Sequence, residues 1–523
     1  MLLRNRILLP VILSTLAVLA GCGSSSPAVN PPPSGGFTNS NLTGTYVFSI
    51  IGSVSDQNSD FIAMAGTFTA NGSGSITGGT LDINSSALTA PVVANPITSG
   101  TYSVTADGRG QAMLVTSTPL GSFIKVDFVL SSSSHGLITE FDGNGSGSGS
   151  FDLQTSTAQP AAGFFVWGLT GISGISVTTG SGIPAASAGV VTLDADGNAT
   201  GSMDYNSNSV PSLLTITTGS SVLSGTPGTA TLVTGSGTLN FDVYPIDATH
   251  MKVIETDGFP ILAGDLFKQS LPQFPAGQIV FTMGGEDYAT GFPLVVGGFM
   301  TSDGTSTISG GSEDFNDGGT ADTNPLAFDG SITASGSRYL IQVNNFENGV
   351  GGALGTFVFA AYPSDGGIQL VEVDGNGVTS GVGFTQSTTA LAANEGYGFD
   401  LTAVGQSTED DIAEFSATTT TLTGVIDVND QGSTSFKNKL TGNYTPDSPA
   451  TGAGVISSNF FTGVYYTVDS GNALFIELDG TQLGVGALQT QSATAKSNLA
   501  AAHLATVRST LAKARAKKAW RNK

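Results

Sequence analysis

Glu140-Phe141-Asp142-Gly143-Asn144-Gly145-Ser146-Gly147-Ser148-Gly149-Ser150-Phe151-Asp152-Leu153-Gln154 is one of four copies of the pattern Glu-x-Asp-Gly-x5-Gly-x4-Gln in this chain. The others are Glu255, Asp257, Gly258, Gly264 and Gln269; Glu372, Asp374, Gly375, Gly381 and Gln386; and Glu477, Asp479, Gly480, Gly486 and Gln491. Successive aspartates lie 115, 117 and 105 residues apart, so the repeating unit is a small domain and not the 20 to 50 residues of a solenoid or propeller. A second pattern, Gly-x-x-Asp-x-Asn, keeps the same register at Gly79-Asp82-Asn84, Gly201-Asp204-Asn206, Gly311-Asp314-Asn316 and Gly424-Asp427-Asn429.

In the first unit, turn dipeptides cut the chain into eight β-rich runs. These are 43–51, 63–70, 75–83, 99–105, 111–116, 123–130, 136–141 and 148–154. Asn71-Gly72, Asp107-Gly108 and Asp142-Gly143 sit between runs, where a hairpin needs residues tolerant of positive φ. The expectation is an all-β chain of four tandem antiparallel β-barrels, each an eight-stranded meander without open edges. A Greek-key β-sandwich is the alternative, because strand count does not give strand order. The pattern is similar in architecture to the small lipocalin and avidin barrels. Their motifs are absent, since no Gly-x-Trp opens a repeat and the two tryptophans are Trp167 and Trp520.

The start of the chain predicts an address. Arg4 and Arg6 precede an apolar run from Ile7 to Val18, and Leu19-Ala20-Gly21-Cys22 follows. This stretch resembles the signal peptide and lipobox of bacterial lipoproteins. The resemblance implies lipidation of Cys22, cleavage before it, and membrane attachment through the lipid. Gly23 stands where that family carries an inner-membrane retention aspartate, which implies the outer membrane or cell surface. Cys22 is the only cysteine, so no disulfide staples the body.

The expected boundaries are a signal at 1–22, a Gly/Ser/Pro linker at 23–40, repeats at 41–158, 159–270, 271–388 and 389–491, and a basic tail at 492–523. The tail holds eight of the 17 Lys and Arg and no acidic residue, so all 40 Asp and Glu lie before it. Leu504, Val507, Leu511 and Ala514 fall at helical spacing, which predicts an amphipathic basic helix. Its partners would be anionic lipid or envelope glycans. A formal net charge of −23 argues against nucleic acid as a partner of the body.

The motif residues Glu140, Asp142, Gln154, Glu255, Asp257, Gln269, Glu372, Asp374, Gln386, Glu477, Asp479 and Gln491 are read as structural, because a folding requirement explains retention in every copy. The alternative is a carboxylate site for Ca2+ or a sugar in each repeat. No EF-hand, Gly-x-Ser-x-Gly, His-Glu-x-x-His or P-loop pattern occurs. The three histidines read as solvated, and no catalytic residue, metal or cofactor is assigned. The resulting expectation is a lipid-anchored binding or structural protein of the cell envelope, with a carbohydrate-active enzyme using acidic residues of repeat 3 as the alternative.

Overall fold

The computed structural model describes residues 36–493 except 56–59, 289–290, 323, 348–353, 406 and 447–450. Cys22, the signal, most of the linker and the expected tail helix lie outside the described residues. Within them the protein is all-β, with one three-residue 3-10 turn at Asn39–Asn41.

Each repeat closes into an antiparallel barrel. In barrel 1 the strands are Thr43–Val54, Phe61–Asn71, Ser75–Ser85, Ser99–Val104, Arg109–Thr118, Gly121–Ser132, His135–Glu140 and Gly145–Leu153, and a short ninth strand, Val92–Ile97, lies alongside the third. Barrel 2 runs from Gly163–Ile175 to Ile261–Lys268, and barrel 4 from Glu395–Val404 to Leu483–Thr490, each with eight strands in sequence order. Barrel 3, from Ala276–Asp287 to Gly377–Thr385, repeats the plan of barrel 1, its extra strand being Thr320–Ala321. The sandwich alternative is thereby corrected: every first strand pairs with its barrel's last, which a two-sheet sandwich does not allow.

The second glycine of the long motif lies at that seam. Gly149, Gly264, Gly381 and Gly486 stand opposite Ile50, Leu169, Met283 and Leu401 of the first strands. A Cβ on these four would come 1.8 to 2.3 Å from a first-strand carbonyl oxygen, so only glycine lets the seam close.

The lumens are filled with apolar side chains. Barrels 1, 3 and 4 are packed with aromatics, among them Tyr46, Phe48 and Phe151 in barrel 1, Phe281 and Phe346 in barrel 3, and Phe399 and Phe475 in barrel 4. Barrel 2 has fewer, Phe165, Trp167 and Phe241 with the partly buried Tyr205, and retains an apolar cavity of ≈ 40 Å³. The first strands are buried on both faces, which is why they read as near-continuous apolar runs. Tyr46, Phe48 and Ile50 point into the lumen of barrel 1, while Val47 and Ile51 pack on barrel 2.

Candidate functional site

The repeated polar residues sit between barrels, and they connect the four in a closed ring. The asparagine of the short motif donates to the Glu-x-Asp-Gly strand end of the next barrel. Asn84 Nδ2 lies 2.9 Å from Glu255 O, Asn206 Nδ2 2.9 Å from both Glu372 O and Gly377 O, and Asn316 Nδ2 2.9 Å from Asp479 O. Asn429, in barrel 4, closes the circuit onto barrel 1, at 2.6 Å from Glu140 O and 2.9 Å from Gly145 O. The motif glutamines run the same way round. Gln154, Gln269 and Gln386 donate to Pro245 O, Pro363 O and Thr467 O at 2.7, 2.8 and 2.7 Å. Gln491 donates to Leu130 O and Asp107 O of barrel 1 at 2.9 and 2.8 Å.

The Glu and Asp of the long motif share a strand face because they are two apart. Burial, then the neighbouring aspartate, pushes Glu140, Glu372 and Glu477 well above the usual carboxylate range and Glu255 up to about 8. Each glutamate is thereby biased towards its protonated form, beside Asp142, Asp257, Asp374 or Asp479. The aspartates also fix the turn: Asp142 Oδ1 accepts Asn144 N at 2.8 Å, Asp374 Oδ1 accepts Asn376 N at 2.9 Å, and Asp479 Oδ1 accepts Thr481 N at 2.9 Å. Asp257 instead accepts Asn240 N at 3.0 Å.

The short-motif aspartates meet a tyrosine of the next barrel at two joints, where Tyr362 and Tyr466 donate to Asp204 and Asp314 at 2.7 Å each. Tyr244 lies beside Asp82 at the joint of barrels 1 and 2. Barrel 1 has Val129 at the corresponding position, and Asp427 takes Arg109 instead, at 3.0 Å, with Asp107 on the guanidinium's other side at 3.0 Å.

Two of the histidines are built into the joint of barrels 1 and 2, contrary to the expectation of solvated loops. His135 Nδ1 is 2.7 Å from Asp152 Oδ1, and His250 Nε2 is 2.7 Å from Asp265 Oδ1, its ring stacked on Phe267. Between the two aspartates lies Lys252, fully buried, with Nζ 2.8 Å from Ser150 Oγ, 3.3 Å from Asp265 Oδ1 and 3.6 Å from Asp152 Oδ2. Burial raises the Asp152 carboxyl, but His135 and Lys252 outweigh it and hold the group below the usual range. Repetition gave no clue to this chain of charges, since it belongs to one joint alone. Ser150 and Lys252 resemble a nucleophile and its base, yet both are sealed, at 1% and 0% exposure, so no substrate reaches them.

The joint of barrels 4 and 1 differs in another way. Ser146 donates to Asp410, as does Ser148 at 2.6 Å, and Ser53 Oγ lies 2.9 Å from Thr408 Oγ1. A cleft of ≈ 520 Å³ opens here between the outer face of barrel 1 and the hairpin of barrel 4 that carries Thr434 and Phe436. A second recess, of ≈ 220 Å³, lies on the other side of the Asp142-Gly143 turn, at the mouth of barrel 1. Among the described residues no three His, Cys, Asp or Glu side chains are grouped to hold a metal ion. Nor is any helix long and apolar enough to cross a membrane.

No family model matches the chain, and no curated protein matches it. Solved structures it resembles include intact Ap-TbpB with its N and C lobes, at 11% identity, 68% of this chain, 84% of that chain and a TM-score of 0.19. A mutant transferrin binding protein B from Haemophilus parasuis Hp5 gives 11%, 70%, 84% and 0.19. The isotype 1 protein of the same name from serogroup B Neisseria meningitidis gives 12%, 66%, 78% and 0.16. Likenesses this loose carry no argument about what the present chain binds or where it resides.

Proposed function

We propose that this chain is a lipid-anchored extracytoplasmic protein of the bacterial cell envelope, whose four-barrel ring is a rigid binding or structural platform. The observation that carries the platform reading is that the repeated side chains are engaged in barrel-to-barrel joints while the lumens are packed. A ring of four mutually braced barrels holds its faces in fixed relation, which tandem domains on flexible linkers do not. Anchoring rests on the sequence around Cys22, and the tail from 492 adds contact with anionic lipid or envelope glycans.

The alternative, a carbohydrate-active enzyme in repeat 3, needs two opposed carboxyls facing a substrate. Glu313 Oε1 accepts Glu347 N at 2.7 Å, but both side chains are buried at 0% exposure.

Fractionation tests the proposal. The native protein is expected with the membranes and the Cys22→Ser variant in the soluble fraction. Membrane partition of Cys22→Ser in an acylated form overturns it. Deleting 492–523 is expected to remove salt-sensitive binding to anionic vesicles, and equal binding without the tail would exclude the tail's role.

A further inference from the structure

The cleft at the joint of barrels 4 and 1 has the size of a small-ligand site, which typically runs from about 300 to 1,000 Å³. Its floor is the outer face of three adjacent strands of barrel 1. Two rungs cross them in register, Ser103, Gln111 and Asp127 on one, Thr101, Met113 and Lys125 on the other. With neighbouring strands about 4.8 Å apart, each rung extends roughly 10 Å, the length of one or two sugar rings. These strands lie inside a closed barrel, so their backbone groups are paired and the floor recognises ligands through side chains alone.

The wall opposite is aromatic. Phe436 is 47% exposed, and its ring packs edge-on against the buried Phe141, centroids 4.7 Å apart at 64°. That contact holds an apolar face towards the cleft without withdrawing it from solvent. Asp127, which stands opposite Gln111 on this floor, is 2% exposed. Burial and Asp427 push this carboxyl up to about 8, and its side chain interacts with Gln111 and Asp427, so it braces the floor beneath Gln111. The rim carries one basic and one acidic residue, Lys125 and Asp142, which gives no preference for a charged ligand.

From this juxtaposition of a held aromatic ring and a polar strand floor, we infer that the cleft binds an uncharged saccharide. The apolar C–H face of the sugar lies on Phe436, and its hydroxyls meet Ser103 and Gln111. The inference rests on the platform reading, whose own test is the fractionation of Cys22→Ser; the outcome below does not depend on where the protein resides. The basic tail contributes nothing to it, because the ligand carries no charge.

The test is titration of the mature full chain with cellobiose, N,N′-diacetylchitobiose and maltose, by calorimetry and saturation-transfer NMR. At least one is expected to bind saturably, and Phe436→Ala to weaken it roughly tenfold, the scale of one aromatic contact. Gln111→Ala, an exposed change that leaves the fold intact, is expected to weaken it as well. Leu213→Ala is the control, since Leu213 is exposed and stands opposite Asp204 in barrel 2, where Phe436 and Lys437 bulge opposite Asp427 in barrel 4. Binding of none of the three sugars overturns the inference. So does binding that is indifferent to both cleft variants, or that Leu213→Ala weakens equally.

Discussion

At the joint of barrels 2 and 3, Val166, Ala186, Ala188 and Val190 pack on Ala360, Tyr362, Val371 and Val378. At the joint of barrels 4 and 1 the apolar cluster shrinks to Val129, Leu137 and Ile412. The strand register shows what replaced the rest. Asp410 stands where barrels 1 to 3 have Ala63, Ala186 and Val295, and Glu414 stands where they have Thr67, Val190 and Phe299. The closing joint thus buries the smallest apolar cluster of the four and leans most on hydrogen bonds and charge, which depend on pH. The same ring geometry is reached with different shares of apolar and polar contact, and the joint with the least apolar packing carries the cleft described above.

The sharpest way to break this contrast is to remove the cation of the closing joint. Arg109→Met leaves Asp107, Asp427 and Glu414 without it, and breaking a buried pair of this kind costs about 3–5 kcal/mol. Denaturant unfolding is expected to show that loss, with hydrogen exchange rising first in 145–150 and 408–416. A loss spread evenly over all four joints would contradict a distinct closing joint.

Next in size is the asparagine comparison. Asn429→Ala and Asn206→Ala each leave two buried carbonyls without their donor, a cost of roughly 1–3 kcal/mol. Similar stability losses are expected, but only Asn429→Ala should open its joint to exchange, since apolar packing holds the other shut.

A pH series gives a smaller effect. Burial, with Asp427 and Asp107 respectively, pushes Asp127 up to about 8 and Glu414 up to about 9. In the unfolded chain both release protons near pH 4, roughly. Between these limits the folded state binds more protons, so stability is greatest at the acid end. It falls as pH rises, by up to about 1.4 kcal/mol per unit for each group, and levels off above the folded values. Glu414→Gln is expected to flatten the slope, and an unchanged slope would remove Glu414 from the account. The smallest expected effect is that of millimolar Ca2+ on melting temperature, which is none. A rise of several degrees would mean that the motif carboxyls bind the ion and do not serve only the joints.

Much of the fold was legible because turns and alternation are local. Asp107-Gly108 and Asp142-Gly143 delimit strands by their own backbone preferences, and all eight expected runs of repeat 1 became strands. The extra strand Val92–Ile97 escaped because Pro91 and Pro96 obscure it. The ring was harder to see, since its contacts join residues such as Asn429 and Glu140, 289 positions apart. One signal was present. All four repeats keep both the asparagine and the strand end that receives one, as pairing of the fourth with the first requires. Of the candidate site, only Asp142 and Gly143 stood out in the sequence, as residues of the repeated motif. Arg109 and Phe436 are single residues of one repeat, which repetition cannot single out.

Ring closure itself is tested most directly by a cross-link. Ser53 and Thr408 lie 355 positions apart in sequence, and their hydroxyl oxygens meet at 2.9 Å across the closing joint. In the Cys22→Ser chain, which has no other cysteine, Ser53→Cys with Thr408→Cys is expected to form one intramolecular disulfide under mild oxidation, seen as faster migration without reductant. A chain that keeps both thiols free, or forms only intermolecular dimers, would contradict the closed ring.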